Sequence, residues 1–163
     1  MTALVSMAPA AIARETIAHH SKSFALASRL LDERTRDQTA VVYTFCRRAD
    51  DAVDLGADPR RALEGLRREL DDIFPSSSLI SARAPADRVS AAFADIARER
   101  GIPRRYPDEL LAGMAMDVDD TRYATLGQLR LYCHRVAGVV GLMMSHVFGV
   151  RDNDALVSAA QLG

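Results

Sequence analysis

Phenolic, basic and acidic side chains recur at helical spacing along one stretch of this sequence. Tyr43, Arg47, Asp50 and Asp54 stand at positions i, i+4, i+7 and i+11, so in a helix they share one narrow face. A second stripe of the same period is apolar and consists of Val42, Phe45, Cys46, Ala49 and Val53. This stripe is the predicted packing face of the helix. We therefore expect the two aspartates to rim a cavity beside an apolar wall.

The chemistry that suits this polar face is the binding of a metal-bridged diphosphate. Carboxylates one helical turn apart have Cβ atoms about 5–6 Å apart, so each can reach a metal ion that also holds phosphate oxygens. Magnesium fits better than calcium, because Mg²⁺ is usually held by one or two carboxylates plus substrate phosphates. Arg47 would add a planar donor fork to the same phosphate. A solvated helix face with an Arg47–Asp50 ion pair is the alternative, and the spacing alone favours it.

A second polar group lies nearer the start of the chain. His20, Ser21 and Ser23 occupy a predicted junction between two helices, and Lys22 is the single lysine of the sequence. Hydroxyls and backbone N–H groups at a helix start bind anions readily. Capping of the second helix by Ser21 or Ser23 is the commoner use of such residues, and both interpretations stay open on these residues alone.

Asp117, Asp119 and Asp120 form a further acidic cluster at the end of a predicted helix. Carboxylates there oppose the helix dipole, so each needs a partner or solvent. We favour pairing with Arg122 or exposure to solvent, and a metal or another arginine is the alternative.

Periodicity and capping signals predict an all-α helical bundle, with no alternating strand pattern. The predicted helices run from Pro9 to His20, Lys22 to Leu31, Asp32 or Thr35 to Leu55, Pro59 to Phe74, Pro85 or Asp87 to Arg100, Asp108 to Val118, and Leu126 to Phe148. A loop is predicted at residues 75–78. Residues 1–163 are interpreted as a single all-α domain.

Composition limits the classes of function. The chain has 163 residues, 48% hydrophobic and 26% charged, with a formal net charge of -1, so no global field attracts nucleic acid. Cys46 and Cys133 show no partner spacing and are expected to be buried free thiols in a reducing cytoplasm. We find no signal peptide pattern and no window of about 20 apolar residues that would span a membrane.

Three ordered motifs together resemble the squalene/phytoene synthase family of head-to-head prenyl synthases. They are His20-Ser21-Lys22-Ser23-Phe24, Tyr43-x-x-Cys46-Arg47-x-x-Asp50-Asp51-x-x-Asp54 and Tyr132-Cys133-x-x-Val136-Ala137-Gly138-x-x-Gly141. The resemblance covers most of the chain from His20 onward. It implies the helical bundle of the isoprenoid synthases.

The resemblance also implies roles for individual residues. Asp50 and Asp54 would hold Mg²⁺, and Tyr132 would face the cation formed when the substrate ionises. Contacts with the diphosphate or the first carbons of the substrate are implied for His20, Ser21, Lys22, Ser23, Tyr43 and Arg47. A tunnel for the prenyl tail is implied along Phe24, Val136, Val140 and Met144. On the residues alone, the stripe of Tyr132, Val136, Val140 and Met144, about 18 Å long, also fits a core helix of a bundle.

The reaction implied by the resemblance joins two prenyl diphosphates through a cyclopropyl diphosphate. Phytoene from two molecules of geranylgeranyl diphosphate is the first expectation, because the run from Tyr132 to Gly149 looks most like bacterial phytoene synthases. Squalene or dehydrosqualene from farnesyl diphosphate comes next. A phytoene synthase needs no NADPH, whereas a squalene synthase uses it. Such greasy substrates and products make peripheral contact with a membrane an expectation too.

The sequence departs from the family pattern in one respect. Members carry a second aspartate-rich motif shortly beyond the position at which this sequence ends, at Gly163. We therefore expect these residues to be the N-terminal part of an isoprenoid synthase domain, inactive alone and completed by a C-terminal half. A class I terpene cyclase, which uses one substrate, and a non-catalytic helical subunit that binds a prenyl lipid are the alternatives.

Overall fold

The structure is a computed structural model, and it describes residues 9–75 and 87–162. Every regular element within these residues is a helix, which confirms the all-α prediction. In chain order they are α1 (Pro9–His20), α2 (Lys22–Ser28), α3 (Glu33–Asp54), α4 (Pro59–Ile73), α5 (Arg88–Arg100), α6 (Arg105–Val118), α7 (Leu126–Cys133), a π-helical turn (His134–Gly138), α8 (Val139–Val147) and α9 (Asn153–Leu162). None of these helices is long and apolar enough to cross a bilayer.

Side-chain caps fix where the two helices of most interest begin. Asp32 accepts a hydrogen bond from the Thr35 N–H group at 3.0 Å at the start of α3. At the start of α7, Thr125 accepts from the Gln128 N–H group, and the Gln128 side chain accepts from the Thr125 N–H group, each at 3.2 Å. Each cap replaces a hydrogen bond that the first turn of a helix lacks. The helix starts predicted at Asp32 and at Leu126 are thereby confirmed.

Helix α3 lies at the centre of the bundle and contacts α1, α4, α5, α6 and α8. Its predicted packing stripe is confirmed, since the following side chains are all buried: Val42, Phe45, Cys46, Ala49 and Val53. Phe45 stacks on Phe93 of α5 with ring centroids 4.1 Å apart. Complete burial of such a side chain contributes about 1.5–3 kcal/mol to stability. This packing leaves the polar face of α3 turned toward α6 and α8.

Arg48 fixes the rotation of α3 from the opposite side. It forms ion pairs with Glu69 of α4 and with Asp87, the N-cap of α5. It also donates a hydrogen bond to Ser90 Oγ at 2.8 Å. Because successive helical residues are about 100° apart, Arg47 points away from this network, toward the polar face.

Two helix boundaries differ from the prediction by three residues. Helix α2 ends at Ser28 and not near Leu31, and α6 begins at Arg105 and not at Asp108. Pro107 therefore lies in the first turn of α6, where a missing N–H group costs nothing because it has no partner within the helix. The predicted loop at residues 76–78 and the alternative helix start at Pro85 lie outside the described residues.

The predicted helix from Leu126 to Phe148 is interrupted by the π-helical turn at His134–Gly138. A Cβ atom at Gly138 would lie 2.8 Å from the carbonyl oxygen of Ala160 and 2.9 Å from His134 Nδ1. The glycine therefore lets the backbone of α9 approach the turn closely. π-helical turns inside helices occur frequently at functional sites.

Candidate functional site

A cavity of about 210 Å³ opens between α3, α6, the π-helical turn and α8. Its polar wall is formed by Tyr43, Arg47 and Asp50 of α3, and its other lining residues are Cys46, Leu110, Met114, Val136 and Val140. Five of the residues predicted for the site, Tyr43, Arg47, Asp50, Val136 and Val140, thus meet in one place. The cavity has a charged wall next to an apolar wall, as the polar and apolar stripes of α3 predict.

Arg47 is held between two carboxylates in this cavity. Its Nη1 lies 3.1 Å from Asp50 Oδ2, and its Nη2 lies 2.6 Å from Asp51 Oδ1. The Nε atom is buried and has no hydrogen-bond partner among the described residues. The guanidinium is therefore oriented by its neighbours, and one of its donors is left unsatisfied. Asp51, which the sequence analysis did not select, contributes to this orientation.

Asp50 lies in an environment that disfavours its charge. Burial raises the pKa of its carboxyl group, the nearby charge of Asp54 raises it further, and Arg47 opposes both effects. Asp51 and Asp117 add smaller effects that also raise it. Negative charge therefore gathers at this end of α3, as it does where a cation is to be bound.

Asp117 joins this group from α6. Tyr132 donates a hydrogen bond from its hydroxyl group to Asp117 Oδ2 at 3.1 Å, and its ring lies 5.1 Å from that of Tyr123. Burial and this hydrogen bond raise the pKa of Tyr132 to about 12. Asp117 is exposed to solvent, as the favoured interpretation allows, but its hydrogen-bond partner is Tyr132 and not Arg122.

The other two acids of that cluster behave differently. Asp120 pairs with Arg122 at 3.1 Å, as favoured, and Asp119 pairs with Arg60 of α4 at 2.6 Å. A periodicity within α6 could have separated Asp117 from them, since Leu110, Met114 and Asp117 lie four and three residues apart and share one face. Leu110 and Met114 line the cavity and were missed for the same reason.

The segment from His20 to Phe24 reaches the site through its last residue. Phe24 stacks on Tyr43 with ring centroids 5.4 Å apart. Ser21 caps α2 by accepting from the Phe24 N–H group at 3.4 Å, which is the commoner use of such a serine. His20, Lys22 and Ser23 are exposed at the α1–α2 junction, and none of the three lines the cavity.

Three further predicted residues, in addition to the segment from His20 to Phe24, do not line the cavity. Asp54 is exposed at the last position of α3, although its charge still acts on Asp50. Tyr132 is joined to the site only through Asp117, and Met144 is buried in the core. The stripe from Tyr132 to Met144 fails for a geometric reason. Each step of four residues in an α-helix overshoots a full turn by about 40°, so three steps would drift by about 120°, and the π-helical turn, with its wider i→i+5 bonding, also breaks the regular spacing.

The residues present fit Mg²⁺ as a shared ligand of protein and phosphate. Within the described parts of the chain, no cluster of three or more His, Cys, Asp or Glu side chains could hold a metal by itself. Magnesium commonly needs only one or two carboxylates, with phosphate oxygens and water completing its octahedron. Asp50 and Asp54 match that requirement. Burial and then the charge of Asp54 raise the pKa of Asp50, and a bound cation would offset the repulsion between the two carboxylates.

The two cysteines differ in environment. Cys46 is buried as expected, and burial raises the pKa of its thiol to about 12. Cys133 is exposed, so the prediction that it is buried is wrong. The cause is that α7 buries none of its residues. Cys133 borders a cavity of about 590 Å³ next to α9, which none of the predicted site residues lines.

Comparison with known proteins agrees with the fold and the motifs. The family model described as squalene/phytoene synthase matches residues 17–163. The chain is 37% identical over 158 residues to 15-cis-phytoene synthase of Paracoccus sp.. The aligned region covers 91% of this chain and 50% of that relative. It is 40% identical over 163 residues to phytoene synthase of Rhodobacter capsulatus, and this aligned region covers 98% of this chain and 46% of that relative.

Solved structures give the same picture. A dehydrosqualene synthase crystallised with a ligand matches with a TM-score of 0.81 and 32% identity, over 95% of this chain and 52% of that chain. The squalene synthase HpnC from Alicyclobacillus acidocaldarius matches with a TM-score of 0.79 and 25% identity. The chain therefore belongs to the squalene/phytoene synthase family. It spans about half the length of the relatives that it matches.

Proposed function

We propose that this chain supplies the first half of an enzyme that condenses two prenyl diphosphates head to head. The observation that carries the proposal is the cavity in which Arg47 and Asp50 meet the apolar side chains of Leu110, Val136 and Val140. A prenyl diphosphate has the matching form, with a charged head and an apolar tail. The family relationship supports this class of reaction.

Each wall of the cavity has a task in that reaction. Arg47 would donate to the diphosphate through its planar fork, and Asp50 and Asp54 would hold Mg²⁺. Bound Mg²⁺ would supply Lewis-acid stabilisation of the departing diphosphate. The stacked rings of Phe24 and Tyr43 would form part of the wall that keeps water from a reactive cation.

Asp117 and Tyr132 would act together beside this wall. The Tyr132 phenol is protonated at neutral pH, since its pKa, raised to about 12, lies far above 7. Its hydrogen bond to Asp117 fixes the direction of the hydroxyl dipole. A neutral, oriented phenol next to a carboxylate can stabilise positive charge that develops on a nearby carbon. Tyr132 would therefore face the cation, with Asp117 as its positioning residue.

We further propose geranylgeranyl diphosphate as the substrate and phytoene as the product, by way of a cyclopropyl diphosphate and without NADPH. The identity of 37–41% to several bacterial phytoene synthases supports this choice over other substrates. We propose also that the chain is inactive alone, because its described residues offer one carboxylate pair and no larger metal cluster. A C-terminal half would then complete the site.

The test measures binding and product formation separately. Binding of a non-reactive thiolo analogue of geranylgeranyl diphosphate to the chain is measured by calorimetry with and without Mg²⁺. We expect Mg²⁺ to strengthen binding, and we expect Asp50→Ala or Asp54→Ala to abolish that gain. Asp95→Ala is the control, because Asp95 is exposed on α5 and pairs only locally with Arg98.

Product is then sought by mass after mixing the chain with the C-terminal half of the Paracoccus relative. We expect C40 phytoene from the mixture and none from the chain alone. A C30 product from farnesyl diphosphate alone would identify a dehydrosqualene or squalene synthase instead. A product of single-substrate mass would indicate a terpene cyclase. Binding that is independent of Mg²⁺ and unchanged in both aspartate variants would indicate a non-catalytic prenyl-binding subunit.

A further inference from the structure

A groove of about 590 Å³ lies between α7, the π-helical turn and α9. It is bordered by Arg130, Cys133, His134, Val157, Ala160 and Gln161. The α7–α9 groove, as we name it, shares none of these residues with the cavity of the candidate site. It is therefore a separate feature of the surface.

An apolar stripe on α7 leads into this groove. Leu126 and Leu129 are 62% and 41% exposed, and Cys133 is exposed as well. The three residues are three, four and seven positions apart, so their side chains lie on one face of the helix. Because Cys133 borders the groove, the stripe continues its wall. Leu131 is 44% exposed, but a step of two residues turns it about 200° away from Leu129.

Helix α9 forms the opposite wall of the groove. Val157, Ala160 and Gln161 are three and four positions apart and share one face, and Val157 is 58% exposed. No described residue of α7 or α9 is buried. Most helices in proteins owe their stability to the packing of an apolar face. Both helices therefore present apolar residues that lack a packing partner in this chain.

The lengths of the relatives indicate what covers the groove. The aligned region accounts for 50% of the Paracoccus phytoene synthase and for 52% of the crystallised dehydrosqualene synthase. A longer domain buries a larger share of its surface, so the other half of such a chain must cover apolar surface that this half leaves exposed. A groove between two helices suits a third helix with an apolar face.

We propose that the α7–α9 groove docks a helix from the C-terminal half of a family synthase, and that this helix covers Leu126, Leu129 and Val157. The inference rests on the proposed function, in which a C-terminal half completes the site. Docking on α7 would also hold Tyr132, which donates its hydrogen bond to Asp117 from the same helix. Assembly of the two halves would thereby fix the position of the Tyr132 phenol.

The first experiment measures whether docking covers the groove, without any prenyl diphosphate. The full chain is co-expressed with the tagged C-terminal half of the Paracoccus relative, so that the two can fold together, and the complex is recovered through the tag. Alkylation of Cys133 by N-ethylmaleimide is followed by peptide mass. We expect it to be about tenfold slower in the complex than in the chain alone, because a covered thiol is inaccessible. Cys46, buried within the chain itself, is the internal control.

The second experiment compares variants by their ability to displace the labelled wild-type chain from the complex. Leu129→Ser and Val157→Ser remove apolar surface from the two walls, and each should weaken binding about tenfold. Leu131→Ser is the matched control, because Leu131 lies on the same helix with nearly the same exposure but on another face. Circular dichroism checks the fold of each variant, and Val157→Ser keeps the test valid if Leu129→Ser unfolds.

The inference is overturned if Leu131→Ser weakens binding as much as the groove variants do, if no complex forms, or if Cys133 stays reactive in the complex. A dimer of this chain that Leu129→Ser disrupts, with no binding of the C-terminal half, would assign the groove to a second copy instead. The proposed function fails separately. A complex that protects Cys133 but makes no C40 product from geranylgeranyl diphosphate and Mg²⁺ contradicts the reaction and leaves the docking surface standing.

Discussion

The Tyr132 hydroxyl group donates its hydrogen bond to Asp117 across 3.1 Å and thereby links α7 to the last turn of α6. The same Asp117 carboxylate acts on Asp50 of α3, whose pKa it helps to raise. Charged and polar groups from three helices therefore interact with one another: Asp50 of α3, Asp117 of α6 and Tyr132 of α7. A change of charge at Asp117 should be felt at both Tyr132 and Asp50.

The first prediction concerns the Asp117→Asn variant. The asparagine oxygen can still accept the hydrogen bond from Tyr132, but the negative charge is gone. We expect the pKa of Tyr132 to fall from about 12 toward its ordinary value of about 10. An alkaline titration that follows phenolate absorbance should then lose its highest step.

Asp119→Asn is the matched control, because Asp119 is two residues away and pairs with Arg60 instead. Stability gives a second readout for both variants. When folding raises the pKa of a phenol, the folded protein loses stability as the pH rises from the ordinary pKa of the phenol through the raised one. The wild type should therefore lose more stability between pH 10 and 12 than Asp117→Asn. Identical titrations of both variants and the wild type would contradict the prediction.

The second prediction concerns the free energy of unfolding of Asp50→Asn. Burial and the charge of Asp54 raise the pKa of Asp50 despite its ion pair with Arg47. An acid with a raised pKa in the folded state removes stability as the pH rises from its ordinary value of about 3.9 through the raised value. In buffer without Mg²⁺ at pH 7, Asp50→Asn should therefore have a higher Tm than the wild type.

The advantage of the variant should shrink as the pH falls toward 3, where Asp50 is protonated and neutral in both states of the wild type. Asp95→Asn serves as the control, since Asp95 is exposed and pairs within one turn of α5. Thermal unfolding followed by circular dichroism measures both. A lower Tm for Asp50→Asn at pH 7 would mean that the ion pair with Arg47 outweighs burial.

Local chemistry explains which parts of this fold the sequence predicts well. The caps at Asp32 and Thr125 depend on residues three positions apart, and they begin helices where the sequence predicts helix starts, at Asp32 and Leu126. The polar face of α3 holds over its length because spacings of 4, 7 and 11 residues stay within about 60° of one another around a helix. Cavity residues Tyr43, Arg47 and Asp50 follow from that short-range geometry.

Contacts between distant segments explain what the sequence did not predict. The π-helical turn depends on α9 packing against Gly138, and no pattern within α7 or α8 predicts this turn. The exposure of Cys133 follows from the position of α7, which buries none of its residues. The link from Asp117 to Tyr132 joins residues 15 positions apart in sequence, so periodicity within either helix cannot reveal it. Resemblance to a family supplied the identity of the site, whereas packing decided which of its residues meet.

The third prediction concerns the reactivity of the two thiols. Cys133 is exposed, whereas Cys46 is buried with its pKa raised to about 12. Because the thiolate is the reactive species, Ellman's reagent should modify one thiol per native chain at pH 8 and two after unfolding. Cys133→Ser should remove the native reaction. Rapid modification of Cys46 in native Cys133→Ser would show that the cavity wall opens to solvent.

The fourth prediction concerns Gly113, which lets α6 approach the π-helical turn. A Cβ atom there would lie 2.8 Å from Arg135 Cβ and 2.8 Å from Val136 Cγ1. Overpacking of this kind commonly costs about 1–3 kcal/mol, and relief of the clash would move Val136 from the cavity wall. We therefore expect Gly113→Ala to lower the free energy of unfolding and also to weaken binding of a prenyl diphosphate analogue.

Gly65→Ala is the control, because no atom lies within 4 Å of its Cβ position in α4. Helix propensity alone should therefore stabilise that variant by about 0.5–1 kcal/mol. Denaturant unfolding measures the two changes, and equal stabilisation of both variants would contradict the close approach of α6 to the turn.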